Sequence, residues 1–144
     1  MQLMPRTAAE MGRDRRFRRG KGRDALFNPK INIELGSKYL SHLMYNGDKV
    51  RNLFKTLAAY NAGPGKLGRW ESKINYQNDP LMFMESIPSP ETRNFIEQVF
   101  IGLWIYRFRL DQAAPSLTQL AEGNWPHYKS VSNKKMEGFS NARN

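Results

Sequence analysis

Cysteine is absent from the sequence, and histidine occurs only as His42 and His127. Without cysteine the chain cannot form disulfide bonds, thiol nucleophiles or cysteine-ligated metal and iron–sulfur centres. Two histidines also argue against a metal centre with imidazole ligands, so we expect neither a metal nor a cofactor. The longest apolar run, residues 99–106, is far shorter than the roughly 20 residues of a membrane span. The N-terminal residues lack the basic and then apolar pattern of a signal peptide, and we predict a soluble chain without a transmembrane segment.

Acidic residues are scarce relative to basic ones: the sequence has 23 Lys and Arg against 13 Asp and Glu, for a net charge of +10. This imbalance favours an anionic partner such as a nucleic acid, an acidic membrane surface or an anionic cell-wall polymer. Seven of the cations fall within residues 13–23. We interpret this basic run as an exposed, solvated loop. The alternative is that the run binds an anionic polymer. Nucleic acid is not expected, because Phe17 is the only aromatic residue in the run and a platform for base stacking is missing.

Apolar residues recur at helical spacing, and no alternating strand pattern of useful length is present, which predicts an all-α fold. Helix starts and stops are indicated by Asn, Ser, Pro and Gly residues. The predicted helical segments are residues 1–12, 28–47, about 50–61, a short turn with Leu67 and Trp70, 81–84, 89 to about 110, and a short segment from 114. Residues 71–80 are predicted to be a loop, and the apolar run 99–106 is predicted to be the buried centre of the domain. We place one domain at 1–112 and a C-terminal extension with a loose tail at 113–144.

Two helix boundaries carry the residues best suited to chemistry. Tyr60 and Asn61 end a helix ahead of a Gly-Pro-Gly sequence, which puts a phenol and an amide at the lip of a helix end. The alternative is an ordinary helix stop with Tyr60 in the core and Asn61 as a cap. Glu85 lies between apolar residues just before a capped helix, where partial burial would raise its pKa. Arg93 lies in the first turns of that helix, and the alternative role for this pair is a salt bridge that holds loop to helix.

Four segments, in order along the chain, resemble motifs of the soluble lytic transglycosylases. Residues 1–8, MQLMPRTA, are similar to the end of the family motif GLMQxMPxTA, and residues 28–36, NPKINIELG, are similar to NPxxNIxLG. Residues 59–65, AYNAGPG, and residues 85–94, ESIPSPETRN, match the motifs AYNAGPG and ESIPxxETRN. Any one of these matches is weak, but the ordered set is specific.

The resemblance implies a lysozyme-like helical fold and cleavage of the β-1,4 bond between N-acetylmuramic acid and N-acetylglucosamine in peptidoglycan. In this family one glutamic acid serves first as general acid and then as base toward the muramic 6-hydroxyl, and the product is a 1,6-anhydro sugar. The resemblance also implies roles for residues at matching motif positions. Gln2 and Met4 would line the sugar cleft, and Ala59, Arg93 and Glu85 would contact the substrate. Tyr60 would orient the acid or the acetamido group, and Asn61 would support the turn that follows Tyr60. The expected partner is the peptidoglycan glycan strand, in the periplasm or cell envelope of a bacterium, and the chain is expected to be a monomer.

The family's catalytic glutamic acid lies on a helix upstream of the Met-Gln with which this sequence begins. The chain therefore resembles the C-terminal part of the catalytic domain, truncated at its N-terminus, and we expect it to be inactive as it stands. Loss of the proton donor removes a contribution of about 10²–10⁴-fold. The alternative function is a non-catalytic peptidoglycan-binding module that keeps the cleft without its acid.

Overall fold

Proline begins most of the helices of this chain. The computed structural model describes residues 3–45 and 51–129, and six of the eight α-helices in these ranges start at a proline. Proline suits the first helical position because its fixed φ is helical and its missing N–H would have no partner there. The helices are α1 Pro5–Met11, α2 Gly20–Asp24, α3 Pro29–Tyr45, α4 Leu53–Ala62, α5 Pro64–Lys73, α6 Pro80–Glu85, α7 Pro90–Arg109 and α8 Pro115–Ala121.

The prediction of an all-α fold is confirmed for the described ranges, in which the only β-type pairing is an isolated bridge between Asn52 and His127. Side-chain caps fix several helix starts: Asn52, Asp79 and Ser89 accept hydrogen bonds from the backbone N–H three residues later. The predicted helix stop at Gly47, the start near Val50 and the predicted tail at 130–144 lie outside the described residues. No helix of the described part is long and apolar enough to cross a membrane.

The interpretation of the basic run as a loop is wrong. The run folds into a 3-10 turn at Arg15–Arg18 followed by the five-residue helix α2. The Asp14 carboxylate caps the turn by accepting from the Arg16 N–H and also binds the Arg16 guanidinium. This charged stretch is ordered because one local carboxylate accepts hydrogen bonds both from the backbone of the turn and from an arginine side chain. The density of charge in the sequence did not indicate this order.

Two further predictions need correction. Helix α5 continues to Lys73, so the predicted loop at 71–80 is confined to residues 74–79. The run 99–106 is not the buried centre of the domain, because Ile101, Ile105 and Tyr106 are exposed, with Ile105 51% exposed. Helix α7 buries the opposite face, which includes Ile96 and Phe100. A continuous apolar run shows that a helix is apolar, but not which of its faces the rest of the chain covers.

The buried apolar side chains form two clusters. The main core joins α4 to α8 and contains Phe54, Leu67, Phe83, Ile87 and Ile96 among its most deeply buried members. The second cluster, here called the N-terminal cluster, consists of Leu3, Ala8, Leu26 and Leu35, with Met11, Phe17, Ile31, Tyr39 and Tyr60 packed against it. The N-terminal cluster therefore joins α1 and α3 to the end of α4.

The C-terminal segment packs on the main core as far as the structure describes it. Leu120 is buried in that core, Pro126 is fully buried, and Trp125 and Tyr128 pack against it. Backbone hydrogen bonds pair Leu53 N with Pro126 O at 2.8 Å and Tyr128 N with the carbonyl oxygen of Arg51 at 2.7 Å. The domain boundary placed after residue 112 stays a prediction, and residues 113–129 share their core with the helices before them.

Candidate active site

The turn between α4 and α5 is a single residue, Gly63, which ends one helix and precedes the next. Its backbone has φ +91°, a conformation that glycine adopts readily and residues with a Cβ rarely adopt. Pro64 follows at the first position of α5. This sharp turn leaves Tyr60 and Asn61 in the last turn of α4, at the helix lip where the sequence places them.

A chain of hydroxyl and amide groups joins this lip to the start of α7. The Thr92 hydroxyl donates to Asn61 Oδ1 at 2.7 Å and lies 3.0 Å from Ser89 Oγ, which also accepts from the Thr92 N–H. Thr92 is buried and Asn61 is half-buried, so the network stands partly shielded from water. The arrangement fixes the side chain of Asn61 and makes it a support for the lip. The alternative interpretation of Asn61 as no more than a helix cap overlooks this tie to α7.

Arg93 holds the turn that connects α6 to α7. Its Nη1 donates to the carbonyl oxygen of Ile87, and its side chain is half-buried. The expected partial burial of Glu85 is wrong: Glu85 is exposed at the end of α6. The structure contains no ion pair between Glu85 and Arg93, so Arg93 ties turn to helix through a backbone carbonyl and leaves the carboxylate of Glu85 facing solvent.

Tyr60 lies between the two apolar clusters. Its ring is tilted against Tyr39 of α3 at a centroid distance of 5.5 Å and stacks in parallel with Phe95 of α7 at 6.1 Å. Its hydroxyl oxygen is buried and has no hydrogen-bond partner among the described residues. A buried hydroxyl without a partner costs free energy of folding, about 1–3 kcal/mol. Tyrosine at this position is therefore not explained by core packing, which phenylalanine would supply without that cost.

Burial raises the pKa of the Tyr60 hydroxyl above its ordinary value near 10, with a smaller contribution from Tyr39. Burial likewise raises the pKa of Tyr39, and the nearby charge of Glu10 adds to the effect. Both hydroxyls are therefore protonated at neutral pH, and Tyr60 can donate a hydrogen bond there.

These raised pKa values predict a loss of stability at alkaline pH. The Tyr60 hydroxyl keeps its proton to a higher pH in the folded state than in the unfolded chain, so its contribution to stability is fully present below the unfolded pKa near 10. This contribution is lost as the pH rises through the folded pKa. We expect urea midpoints to fall less between pH 9 and pH 11 in Tyr60→Phe than in the unmodified protein. Equal slopes in the two proteins would contradict the burial of this hydroxyl.

The remaining residues carried over from the family motifs lie in different environments. Met4 is 72% exposed and occupies the N-cap position of α1, where its side chain makes no capping hydrogen bond. The residue before it, Leu3, belongs to the N-terminal cluster. Because Tyr60 packs against the same cluster, the structure brings the first and third motifs together. Ala59 is 4% exposed, and its carbonyl oxygen accepts from Gly63 N, so it supports the turn from inside. Gln2 lies outside the described residues.

Three residues of this region carried no prediction as site residues: Tyr39, Thr56 and Thr92. The Thr56 hydroxyl, one turn before Tyr60 on α4, is also buried without a hydrogen-bond partner within the described ranges. Thr92 lies inside a quoted motif, and its place three residues after the capping Ser89 is a signal that could have assigned it. Tyr39 and Thr56 have no such signal, because their position beside Tyr60 depends on how α3 and α4 pack.

A protonated phenol and a solvent-facing carboxylate, both at helix ends, can form hydrogen bonds with polar ligands such as sugars. The chain belongs to the transglycosylase SLT domain family, whose model matches residues 1–83. It is 34% identical over 112 residues to the soluble lytic murein transglycosylase of Salmonella typhimurium, an alignment that covers 78% of this chain and 17% of that protein. The protein of the same name from Escherichia coli K12 is 33% identical over 108 residues, or 75% of this chain and 16% of its own length.

A relative of a different name extends the similarity. The membrane-bound lytic murein transglycosylase C of Glaesserella parasuis is 32% identical over 124 residues, which covers 69% of this chain and 32% of that protein. No solved structure matches the chain significantly. The chain spans only about a sixth of the length of the two soluble relatives it matches.

Proposed function

We propose that this chain forms the substrate cleft of a peptidoglycan lytic transglycosylase in a bacterial cell envelope. The reaction is non-hydrolytic cleavage of the β-1,4 bond between N-acetylmuramic acid and N-acetylglucosamine, which leaves a 1,6-anhydro end. The observation that carries the proposal is the buried, protonated Tyr60 hydroxyl in the AYNAGPG motif, which has no hydrogen-bond partner in the described part of the chain. Family membership and the names of the relatives support the reaction and the substrate.

The reaction needs one group that first gives and then takes a proton. A glutamic acid protonates the glycosidic oxygen, so that the N-acetylglucosamine leaves with a free 4-hydroxyl. The muramic 6-hydroxyl then attacks C1 of its own ring and gives its proton to the glutamate, so no water is consumed. In the family this residue lies upstream of the Met-Gln of the first motif. Tyr60 is a positioning residue in this scheme, because its hydroxyl can donate to that carboxylate or to the substrate acetamido group.

The other site residues act on the substrate or on the shape of the cleft. The exposed Glu85 suits a contact with sugar hydroxyls, and the exposed Met4 suits an apolar contact with a sugar ring. Asn61 and Arg93 hold the two turns that border the cleft, through Thr92 and Ile87 respectively. Gln2 and Ala59 complete the set, Gln2 as a sugar contact and Ala59 through the backbone of its turn.

The experiment compares two proteins on purified peptidoglycan, with mass spectrometry of the soluble products. The first is the 144-residue chain, and the second is the same chain preceded by the family's glutamate-bearing helix. We expect anhydromuropeptides from the second protein alone, and none after its added glutamate is changed to glutamine. Products from the first protein would place the proton donor within these residues. Products without anhydro ends from the second would contradict a transglycosylase reaction.

A second candidate is a non-catalytic peptidoglycan-binding module. It is favoured by the exposure of Glu85 and by the absence of any carboxylate partner for Tyr60 among the described residues. This candidate predicts co-sedimentation with purified sacculi at low salt and no release of fragments by either protein. Failure to co-sediment at low salt would exclude it.

A further inference from the structure

The basic run encloses an open groove. The groove has a volume of about 620 Å³ and is lined by the cations Arg16, Arg19 and Lys21 and by the apolar residues Phe17, Ala25 and Ile31. Asp14 is the one acidic residue in its lining. A groove lined by cations and by these three apolar residues, here called its floor, can bind the charged end of an organic anion and cover its apolar part at the same time.

The charge of this groove is not compensated within the described part of the chain. Arg16 is neutralised by Asp14 at 2.8 Å, and Arg18, which lies outside the lining, faces Glu10 at 3.7 Å. Arg19 and Lys21 are exposed and form no ion pair with any described residue. Two of the lining cations thus have no ion-pair partner among the described residues, and such groups are available to an anion from solution.

The groove is built on an ordered backbone. Helix α2 crosses so closely over the preceding turn that a Cβ on Gly22 would lie 2.2 Å from the carbonyl oxygen of Arg16. Gly12 makes a similar close approach to the ring of Phe17, at 2.8 Å from an ideal Cβ. Two glycines at such contacts indicate that the run is packed in one arrangement, which lowers the entropy cost of presenting Arg19 and Lys21 together.

The groove adjoins the proposed active site through shared packing. Phe17 and Ile31 of its floor pack against the N-terminal cluster, and so do Tyr39 and Tyr60. The groove and Tyr60 therefore border the same apolar cluster. The floor ring of Phe17 is half-buried in that cluster, which leaves it unsuited to stack on a nucleic acid base.

We infer that this groove binds the free carboxylates of the peptide stems that peptidoglycan strands carry. This inference rests on the proposed function and adds a second contact for the same substrate. Arginine and lysine pair with carboxylates, and the apolar floor suits the aliphatic side chains of a short peptide. A polymer bound at Tyr60 supplies these carboxylates itself, whereas a nucleic acid or a lipid surface would have to be a separate partner.

The test measures co-sedimentation of the 144-residue chain with intact sacculi and with sacculi whose free stem carboxylates have been converted to primary amides by a carbodiimide and ammonia, which leaves the glycan and the cross-links in place. The groove variant is Arg19→Gln with Lys21→Gln. The matched control is Arg15→Gln with Arg23→Gln, which removes the same charge from exposed residues of the same run that do not line the groove. Circular dichroism melting verifies that both variants fold.

We expect the unmodified chain to bind intact sacculi about five-fold more tightly than amidated sacculi, as two exposed ion pairs would give. The groove variant should lose this preference, and the control variant should keep it. Equal losses of this preference in both variants would show that net charge alone causes it and would overturn the inference. A larger effect of the groove variant on binding to duplex DNA or to anionic lipid vesicles would overturn it in favour of another partner.

The same data separate this inference from the proposed function. Equal binding to intact and amidated sacculi overturns the groove site but leaves the transglycosylase proposal standing, since the glycan is unchanged. Failure to bind either form counts against both. Anhydromuropeptide release from amidated sacculi by the protein with the added helix, together with no effect of the groove variant, confines the failure to the groove.

Discussion

Replacing Tyr60 by phenylalanine is expected to raise the free energy of unfolding of the 144-residue chain by about 1 kcal/mol. The change removes a buried hydroxyl that has no hydrogen-bond partner among the described residues, and it keeps the ring between Tyr39 and Phe95. In the protein with the added glutamate helix, the same change is expected to lower product release by about 10²-fold, because the catalytic carboxylate or the substrate loses a group that orients it. Urea denaturation and quantitative mass spectrometry of the products measure the two effects.

Opposite signs for stability and activity distinguish a functional tyrosine from a structural one. Tyr106 is exposed on α7, so Tyr106→Phe removes the same atom from a site without burial and serves as the control. It should change neither quantity by a measurable amount. A Tyr60→Phe protein that is less stable than the unmodified chain would show that the hydroxyl has a partner in the folded state. Unchanged product release would remove Tyr60 from the proposed machinery.

Ending the chain after residue 112 is expected to abolish cooperative folding. The deletion removes Leu120 and Pro126 from the main core, together with Trp125, which packs on Tyr76 and Phe83. Removing one buried Leu or Trp side chain costs about 2–5 kcal/mol, and a whole domain is stable by about 5–15 kcal/mol. The deletion also leaves the buried guanidinium of Arg107 without its acceptors, the carbonyl oxygens of Ala113 and Lys129. Urea unfolding followed by circular dichroism measures the effect.

A chain that ends after residue 129 is the matched comparison, since it keeps every one of these contacts. We expect this longer chain to unfold in a single transition. If the chain of 112 residues unfolds with the same urea midpoint as the chain of 129 residues, the C-terminal extension is a separate unit, as the predicted boundary after residue 112 implies. The ion pair of Lys55 with Glu71 and the packing of Lys55 over the Trp125 ring at 4.8 Å give a more specific probe of the same interface.

Most of the helices could be predicted from the sequence because their signals are local. Proline at the first position and a capping Asn or Ser before it depend on the backbone of a few residues, and these mark α3 and α7 in sequence and structure alike. Asp79 and Pro80 give the same signal for α6, but the predicted loop at 71–80 included both residues. The error in the basic run has the opposite cause. Its order depends on the Asp14–Arg16 pair and on the contact of Gly22 with Arg16, and charge density describes neither.

The candidate site could likewise be predicted only in part from the sequence. Tyr60, Asn61, Glu85 and Arg93 could be named from motifs because motifs record which residue types stand at a helix end. Their environments could not be predicted: Glu85 is exposed where burial was expected, and Arg93 binds a carbonyl oxygen where an ion pair with Glu85 was the alternative. Burial of a side chain depends on what other helices place over it, and here those helices are distant in sequence.

The sequence by itself determined the all-α class, the family motifs and the net positive charge, because each follows from residue types and their spacing. Only the tertiary structure decided that Tyr60 packs between α3 and α7 and that its hydroxyl is buried without a partner among residues 3–45 and 51–129. Only the tertiary structure folded the basic run into a groove beside the same cluster. The physical reason is that hydroxyl burial and groove shape arise from contacts between segments tens of residues apart, which no local pattern encodes.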